Sequence, residues 1–132
     1  MLTLKFGGTS MGSARRILDS ADIMAGRAGL DRISVVVSAV AGVSNKLQAG
    51  IDGCISGAVA APYVSELRSI HSDICAELKS ALPKFNAEAV MAKINVCLDE
   101  LERLLSGLAT FGECPTSVHC RIMGMGELMC AP

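Results

Sequence analysis

The run Ile33-Ser34-Val35-Val36-Val37-Ser38 constrains this chain more than any other feature. β-Branched residues fit a pleated strand, and an apolar run of this kind predicts a strand buried on both faces, as in parallel sheets. Upstream, Met1 to Phe6 alternates as a second short strand and stops at Gly7-Gly8. Between the two, Ala14, Ile17, Leu18, Ala21, Met24, Ala25 and Ala28 keep the three-to-four spacing of one helical face. Ser13 stands at the N-cap position and Gly29 ends the pattern. Strand, helix and strand in this order predict a βαβ unit with a right-handed crossover.

The remainder reads as helix. A small-residue loop, Ala39 to Asn45, leads into a pattern carrying Leu47, Ile51, Cys54 and Ile55. Gly57 to Pro62 is the weakest stretch and is expected to be a flexible connection. Leu67, Ile70, Ile74, Leu78 and Leu82 define the next helix, which Pro83 ends. Val90, Ile94, Leu98, Leu101, Leu105 and Leu108 define a long amphipathic one, with Glu88, Lys93, Asp99, Glu100, Glu102 and Arg103 on its other faces. Val118, Ile122, Met125 and Met129 suit a last helix. There Gly124 and Gly126 each cost about 1 kcal/mol relative to Ala, which predicts a break just before Glu127. Two strands do not make a satisfied parallel sheet, whose faces and edges must be covered. The fold class expected is therefore α/β, with residues 1–132 forming the front portion of a larger domain.

Composition removes several functions. Apolar residues make up 51% and charged residues 19%, which is incompatible with intrinsic disorder. A net charge of −1 and four aromatic residues (three Phe and one Tyr) argue against nucleic-acid binding. The longest charge-free stretches, 33–45 and 53–65, are 13 residues each, short of the ~20 that a membrane span needs. The N-terminus lacks the uninterrupted apolar core of a secretory signal. Six cysteines carry no CxxC spacing, and Cys54, Cys75 and Cys97 sit near apolar helical positions. Reduced thiols in a cytoplasmic protein are expected rather than a disulfide framework.

Chemistry can reside at three places. Lys5-Phe6-Gly7-Gly8-Thr9-Ser10 joins a strand end to the approach of a helix. Glycines let backbone N–H groups close on a phosphate, Lys5 offers a point charge, and Thr9 and Ser10 add hydroxyl donors. Neither a Walker order nor G-x-G-x-x-G occurs, and the glycines could serve only the turn. The loop Ser38 to Asn45 follows the second strand at the same end of the sheet, so both loops should border one crevice. Ser44 and Asn45 there read equally as helix N-caps. Glu127 is either a first-turn acid favoured by the helix dipole or a carboxylate for a substrate ammonium. His71 and His119 lack partners at nucleophile or metal spacing and read as surface or satisfied core histidines. Arg15 and Arg16 read as solvated helix residues.

Lys5 to Ser10, followed by Val35-Val36-Val37-Ser38-Ala39-Val40-Ala41-Gly42-Val43-Ser44-Asn45, resembles the opening of aspartate kinases of the amino-acid kinase family. Gly126-Glu127-Leu128-Met129 is similar to that family's later Gly-Glu motif. Gly107 to Ser117, with its Cys114-Pro115, resembles the bifunctional aspartokinase/homoserine dehydrogenase branch. The likeness departs at Ser44, where the family usually has Thr, and at Cys130, where Ser is common.

The resemblance implies the N-terminal part of a carbamate-kinase-like α/β/α sandwich with parallel strands. It implies ATP-dependent phosphorylation of the aspartate β-carboxylate, the first step toward lysine, threonine and methionine, with Mg²⁺ arriving on the nucleotide. Lys5 is then the catalytic cation, Gly7, Gly8, Thr9 and Ser10 join it on the ATP phosphates, and Ser44 and Glu127 hold aspartate. A homo-oligomer is implied for the intact enzyme. Two alternatives stand beside it: another amino-acid kinase, or a non-catalytic phosphate-binding or assembly module.

Overall fold

The computed structural model describes residues 1–132. Its elements are β1 (Leu2–Phe6), α1 (Ala14–Ala28), β2 (Ile33–Val37), α2 (Val43–Ile55), α3 (Ala61–Ala81), α4 (Ala87–Phe111) and α5 (Thr116–Cys130). β1 and β2 pair in parallel, from Leu2 opposite Ile33 to Phe6 opposite Val37. Because side chains alternate along a strand, Leu2, Leu4, Phe6, Ile33, Val35 and Val37 share one face, and Thr3, Lys5, Ser34 and Val36 the other. Between the strands, α1 packs against β2 and α3. Ser13 caps it, its hydroxyl accepting from the Arg16 backbone N–H at 3.3 Å. Gly29 closes it in a right-handed conformation.

The expectation that β2 is buried on both faces fails. Val35 is 38% and Val36 46% exposed. A sheet of only two strands, with one crossover helix beside it, cannot remove both faces of a central-type sequence from water. The strand was read correctly, but its surroundings were not.

The core lies among the helices. α2 contributes Val43, Leu47, Ile51 and Cys54; α3 contributes Val64, Leu67 and Cys75; α4 contributes Ile94, Leu98, Leu101, Leu105 and Leu108; α5 contributes Ile122, Met125 and Met129. Ala39, Val40 and Ala60 from the connecting loops complete it, and no residue of β1, α1 or β2 belongs to it. α4 packs against α2, α3 and α5, so it is the central helix of this layer. Exposed ion pairs join α2 to α3 (Lys46–Glu66), α3 to α4 (Arg68–Asp99) and α4 to α5 (Glu100–Arg121). Each is worth at most about 1 kcal/mol.

The connections follow local chemistry. Gly57 turns the chain at φ +92° after α2, a left-handed value that costs glycine least. Pro62 lies not in the connection, as expected for 57–62, but in the first turn of α3, where its missing N–H has no partner to lose. Leu82 adopts the extended conformation that the following Pro83 demands. Asn86 caps α4, accepting from the Ala89 N–H at 3.0 Å. No helix is long and apolar enough to cross a membrane.

His71 is buried on α3, 3% exposed. Burial pushes its pKa below the ordinary 6.5, outweighing the bond to the Leu67 carbonyl that acts the other way. Below about pH 6.5 the unfolded chain therefore takes up a proton that the folded chain resists, so stability falls as the medium is acidified toward the folded-state value. The thermal midpoint of the wild type is expected to drop between neutral pH and about pH 5.5, and the drop should shrink in His71→Phe. Differential scanning calorimetry at the two pH values checks this.

Candidate functional site

Three sequence motifs meet around Ala39–Ala41. A Cβ built at Gly8 would lie 3.5 Å from the Ala39 carbonyl oxygen and 4.0 Å from Ala41 Cα. One built at Gly12 would lie 3.2 Å from Ala41 Cβ. From the opposite side, one built at Gly126 would lie 2.9 Å from Ala39 Cβ, with Leu47 and Val43 also in contact. The glycine loop and α5 thus both pack on the loop after β2, in which Ala39 and Val40 are buried and Ala41 is exposed.

The glycine loop is folded on itself: the N–H groups of Ser10 and Met11 donate to the Gly7 carbonyl at 2.9 and 3.2 Å. The N–H groups of Gly7, Gly8 and Thr9 have no acceptor within the chain. In the loop after β2, Gly42 sits at φ +83° and opens α2 without a side-chain cap. This overturns the capping reading of Ser44, because Ser44 lies inside the first helical turn. Its half-buried hydroxyl makes no hydrogen bond in the chain, and the N–H groups of Ser44 and Asn45 likewise lack acceptors. Both loops thus present N–H donors without acceptors in the chain, groups of the kind that suit an anion.

Lys5 is exposed on the polar face of β1, and Thr9 is exposed with Ser10 half-buried in the loop. Neither Lys5 nor Glu127 joins any of the ion pairs. The structure therefore brings the motifs together without a Lys5–Glu127 ion pair, and both side chains are exposed.

Glu127 corrects a second expectation. α5 runs unbroken through Gly124 and Gly126, so Glu127 occupies its last turn rather than a first turn. The dipole there disfavours a carboxylate by about 0.3–1 kcal/mol. The helix survives its glycines because Gly126 permits close packing on Ala39. Opposite outcomes follow for the two glycines. Gly126→Ala is expected to destabilise by about 1–2 kcal/mol, overpacking outweighing the gain in helix propensity. Gly124→Ala meets nothing within 4 Å and should stabilise by up to about 1 kcal/mol. Urea unfolding of both variants checks the sign.

Two interactions escaped the sequence. His119 Nε2 lies 2.9 Å from Gln48 Oε1, tying α5 to α2, a particular partner that the reading of His119 as a surface or satisfied histidine did not name. Gln48 Nε2 donates in turn to Asp52 at 2.9 Å, so the imidazole is the donor to Oε1. His71 is only half satisfied: Nδ1 reaches the Leu67 carbonyl at 2.8 Å, while Nε2 is buried without a partner. The stripe Leu67-His71-Cys75-Leu78 could have revealed its burial, though not the missing partner. All six cysteines are free. Burial is the leading cause that raises the pKa of Cys54, Cys75, Cys97, Cys114 and Cys130, which makes them poor nucleophiles. Arg15 and Arg16 are exposed, Arg15 pairing with Asp19.

This α/β arrangement, with its glycine loop at the carboxyl ends of parallel strands, is similar to part of the aspartokinase fold. The chain superposes on E. coli aspartokinase III in complex with aspartate and ADP with a TM-score of 0.77 at 24% identity. It superposes on the same enzyme in complex with lysine and aspartate with a TM-score of 0.79 at 26% identity. Each match covers 98% of this chain and 27% of that one. Among curated proteins the chain is similar to the bifunctional aspartokinase/homoserine dehydrogenase of Buchnera aphidicola subsp. Acyrthosiphon pisum (strain APS), 26% identical over 129 residues. The match spans 98% of this chain and 16% of that relative's length. No family model matches the chain.

Proposed function

We propose that residues 1–132 are the N-terminal portion of an aspartate kinase catalytic domain, in a protein that phosphorylates the L-aspartate β-carboxylate with ATP. The observation that carries this reading is the pair of unsatisfied donor sets, Gly7–Thr9 and Ser44–Asn45, in the two loops that follow the parallel strands, the first of which packs on Ala39 and Ala41 of the second. The β-carboxylate is already a nucleophile, so the site needs positioning and charge stabilisation more than a strong base.

Each residue then has a role its surroundings support. The amides of Gly7, Gly8 and Thr9, with the Thr9 and Ser10 hydroxyls, hold phosphate oxygens. Lys5 neutralises the charge that develops on the transferring phosphoryl group. The Ser44 hydroxyl binds aspartate, and Glu127 receives its ammonium group. A carboxylate at a helix C-terminus with no cation in the chain is costly until a ligand cation arrives, which supports that assignment. No three His, Cys, Asp or Glu side chains gather to hold a metal ion. Mg²⁺ enters this reading as part of the nucleotide complex.

The relative with a fused dehydrogenase supports the bifunctional branch, hence a cytoplasmic, homo-oligomeric enzyme of the pathway to lysine, threonine and methionine. Coupled ADP-release assays on the complete reading frame test the reading. Aspartate-dependent turnover is expected, with glutamate and other carboxylates much poorer acceptors, and residues 1–132 alone should show none. Preference for another acceptor would make the protein a different amino-acid kinase, and absence of any turnover a binding module. Glu127→Gln should raise the aspartate KM about tenfold or more and leave kcat within a few-fold, because it removes a ground-state charge contact.

A further inference from the structure

Ala39 is held between two parts of the molecule that the kinase reading gives to different substrates. The glycine loop approaches its backbone, since a Cβ built at Gly8 would lie 3.5 Å from the Ala39 carbonyl oxygen. α5 approaches its side chain, since a Cβ built at Gly126 would lie 2.9 Å from Ala39 Cβ. The same added Cβ would lie 3.5 Å from Leu47 and 3.6 Å from Val43 of α2. Ala39, Val43, Leu47 and Gly126 are all buried.

This seat has little give. Non-bonded carbons settle at about 3.5–4.0 Å, so a methyl at Gly126 must push α5 and Ala39 apart by roughly 1 Å. Ala39 has no rotamer to change, and Val43, β-branched in a helix, is stiff at χ1. Glu127 is the next residue of the same helical turn and travels with it.

We infer that Gly126 is a positioning residue, whose missing side chain sets the depth of α5 on Ala39 and thereby the distance of Glu127 from the glycine loop. The inference rests on the kinase reading, in which Glu127 receives the aspartate ammonium group and the loop holds the ATP phosphates. Aspartate then bridges the two, with its ammonium group on Glu127 and its β-carboxylate facing the transferring phosphoryl group. A ligand of fixed length cannot follow a helix moved outward, and a misplacement of about 1 Å can cost about 10²-fold in rate. The contact of Gly8 with the Ala39 carbonyl lies on the other side and is left alone.

Steady-state kinetics on the complete reading frame tests this. Gly126→Ala is expected to raise the aspartate KM about tenfold or more and to lower kcat, with the ATP KM within about twofold of wild type. Simple loss of folded protein would lower the apparent kcat and leave KM where it was, because KM does not depend on how much enzyme is active. Adding Ala39→Gly to Gly126→Ala removes the opposing methyl and should return most of the aspartate KM. Gly124→Ala, on the same helix but meeting nothing within 4 Å, should leave it unchanged. If Gly126→Ala does not fold, Ala39→Cys adds one atom to the other partner of the same contact and should raise the aspartate KM in its place. An aspartate KM unmoved by the added atom, or a rise that Ala39→Gly does not reverse, would overturn the inference and leave the kinase reading standing. An unaltered protein without aspartate-dependent turnover would overturn both.

Discussion

If the proposed aspartate kinase reading holds, Lys5→Ala is expected to lower kcat by about 10²-fold or more, while the aspartate KM changes little. Removing one preorganised charge or donor from a site where charge develops typically has that effect. Lys5 suits such an experiment because it is exposed, joins no ion pair and packs in no core. Its loss should leave the unfolding midpoint within about 0.5 kcal/mol of wild type, as for other surface substitutions. Steady-state kinetics beside urea unfolding separates the two readouts. A variant with unchanged kcat would remove Lys5 from the machinery, and one that unfolds would show a structural role instead. Lys5→Arg keeps the charge but alters its shape and reach, so a partial recovery is expected.

The largest effect on stability should come from the middle of α4. Leu101 is fully buried on the helix that packs against α2, α3 and α5. Leu101→Ala is expected to cost about 3–5 kcal/mol, the lost transfer energy plus the cavity that rigid helix packing cannot close. Since small domains have about 5–15 kcal/mol in total, the variant should unfold at much lower urea. Leu128→Ala, at an exposed position of α5, is the control and should cost little. If both variants cost the same, the helical layer would not be the close-packed unit described above.

Most of the architecture was legible because it is written in local chemistry. Ser13, Gly29 and Pro83 mark helix ends through capping or ring geometry, neither of which needs distant partners. The long leucine stripe of α4 was visible for the same reason, since burial at three-to-four spacing is periodic. Where the reading failed, the deciding atom was far away in sequence. Gly126 looks like a helix breaker until Ala39 is placed 2.9 Å from where its Cβ would be. β2 looks fully buried until the extent of its sheet is known. Ser44 looks like a cap until Gly42 takes that position.

The candidate site divides in the same way. The glycine loop and the serine-bearing loop were legible as strand ends of a βαβ unit, which places them at one edge of the sheet. That their N–H groups would be left unpaired, and that α5 would join them through Gly126, depended on tertiary packing. The last-turn position of Glu127 inverts the electrostatic argument its sequence context suggested, and strengthens the case for a cationic ligand.

The absence of β1, α1 and β2 from the helical core has a thermal consequence. Segments with few buried apolar contacts open at lower free energy than the body to which they are attached. Amide protons of the two strands should therefore exchange with solvent well before those of α4, through a sub-global opening that leaves the helices intact. On warming, the strand pair and its loops would loosen while most of the helical signal persists, so that, on the proposed reading, nucleotide affinity would report the approach of melting earlier than ellipticity does.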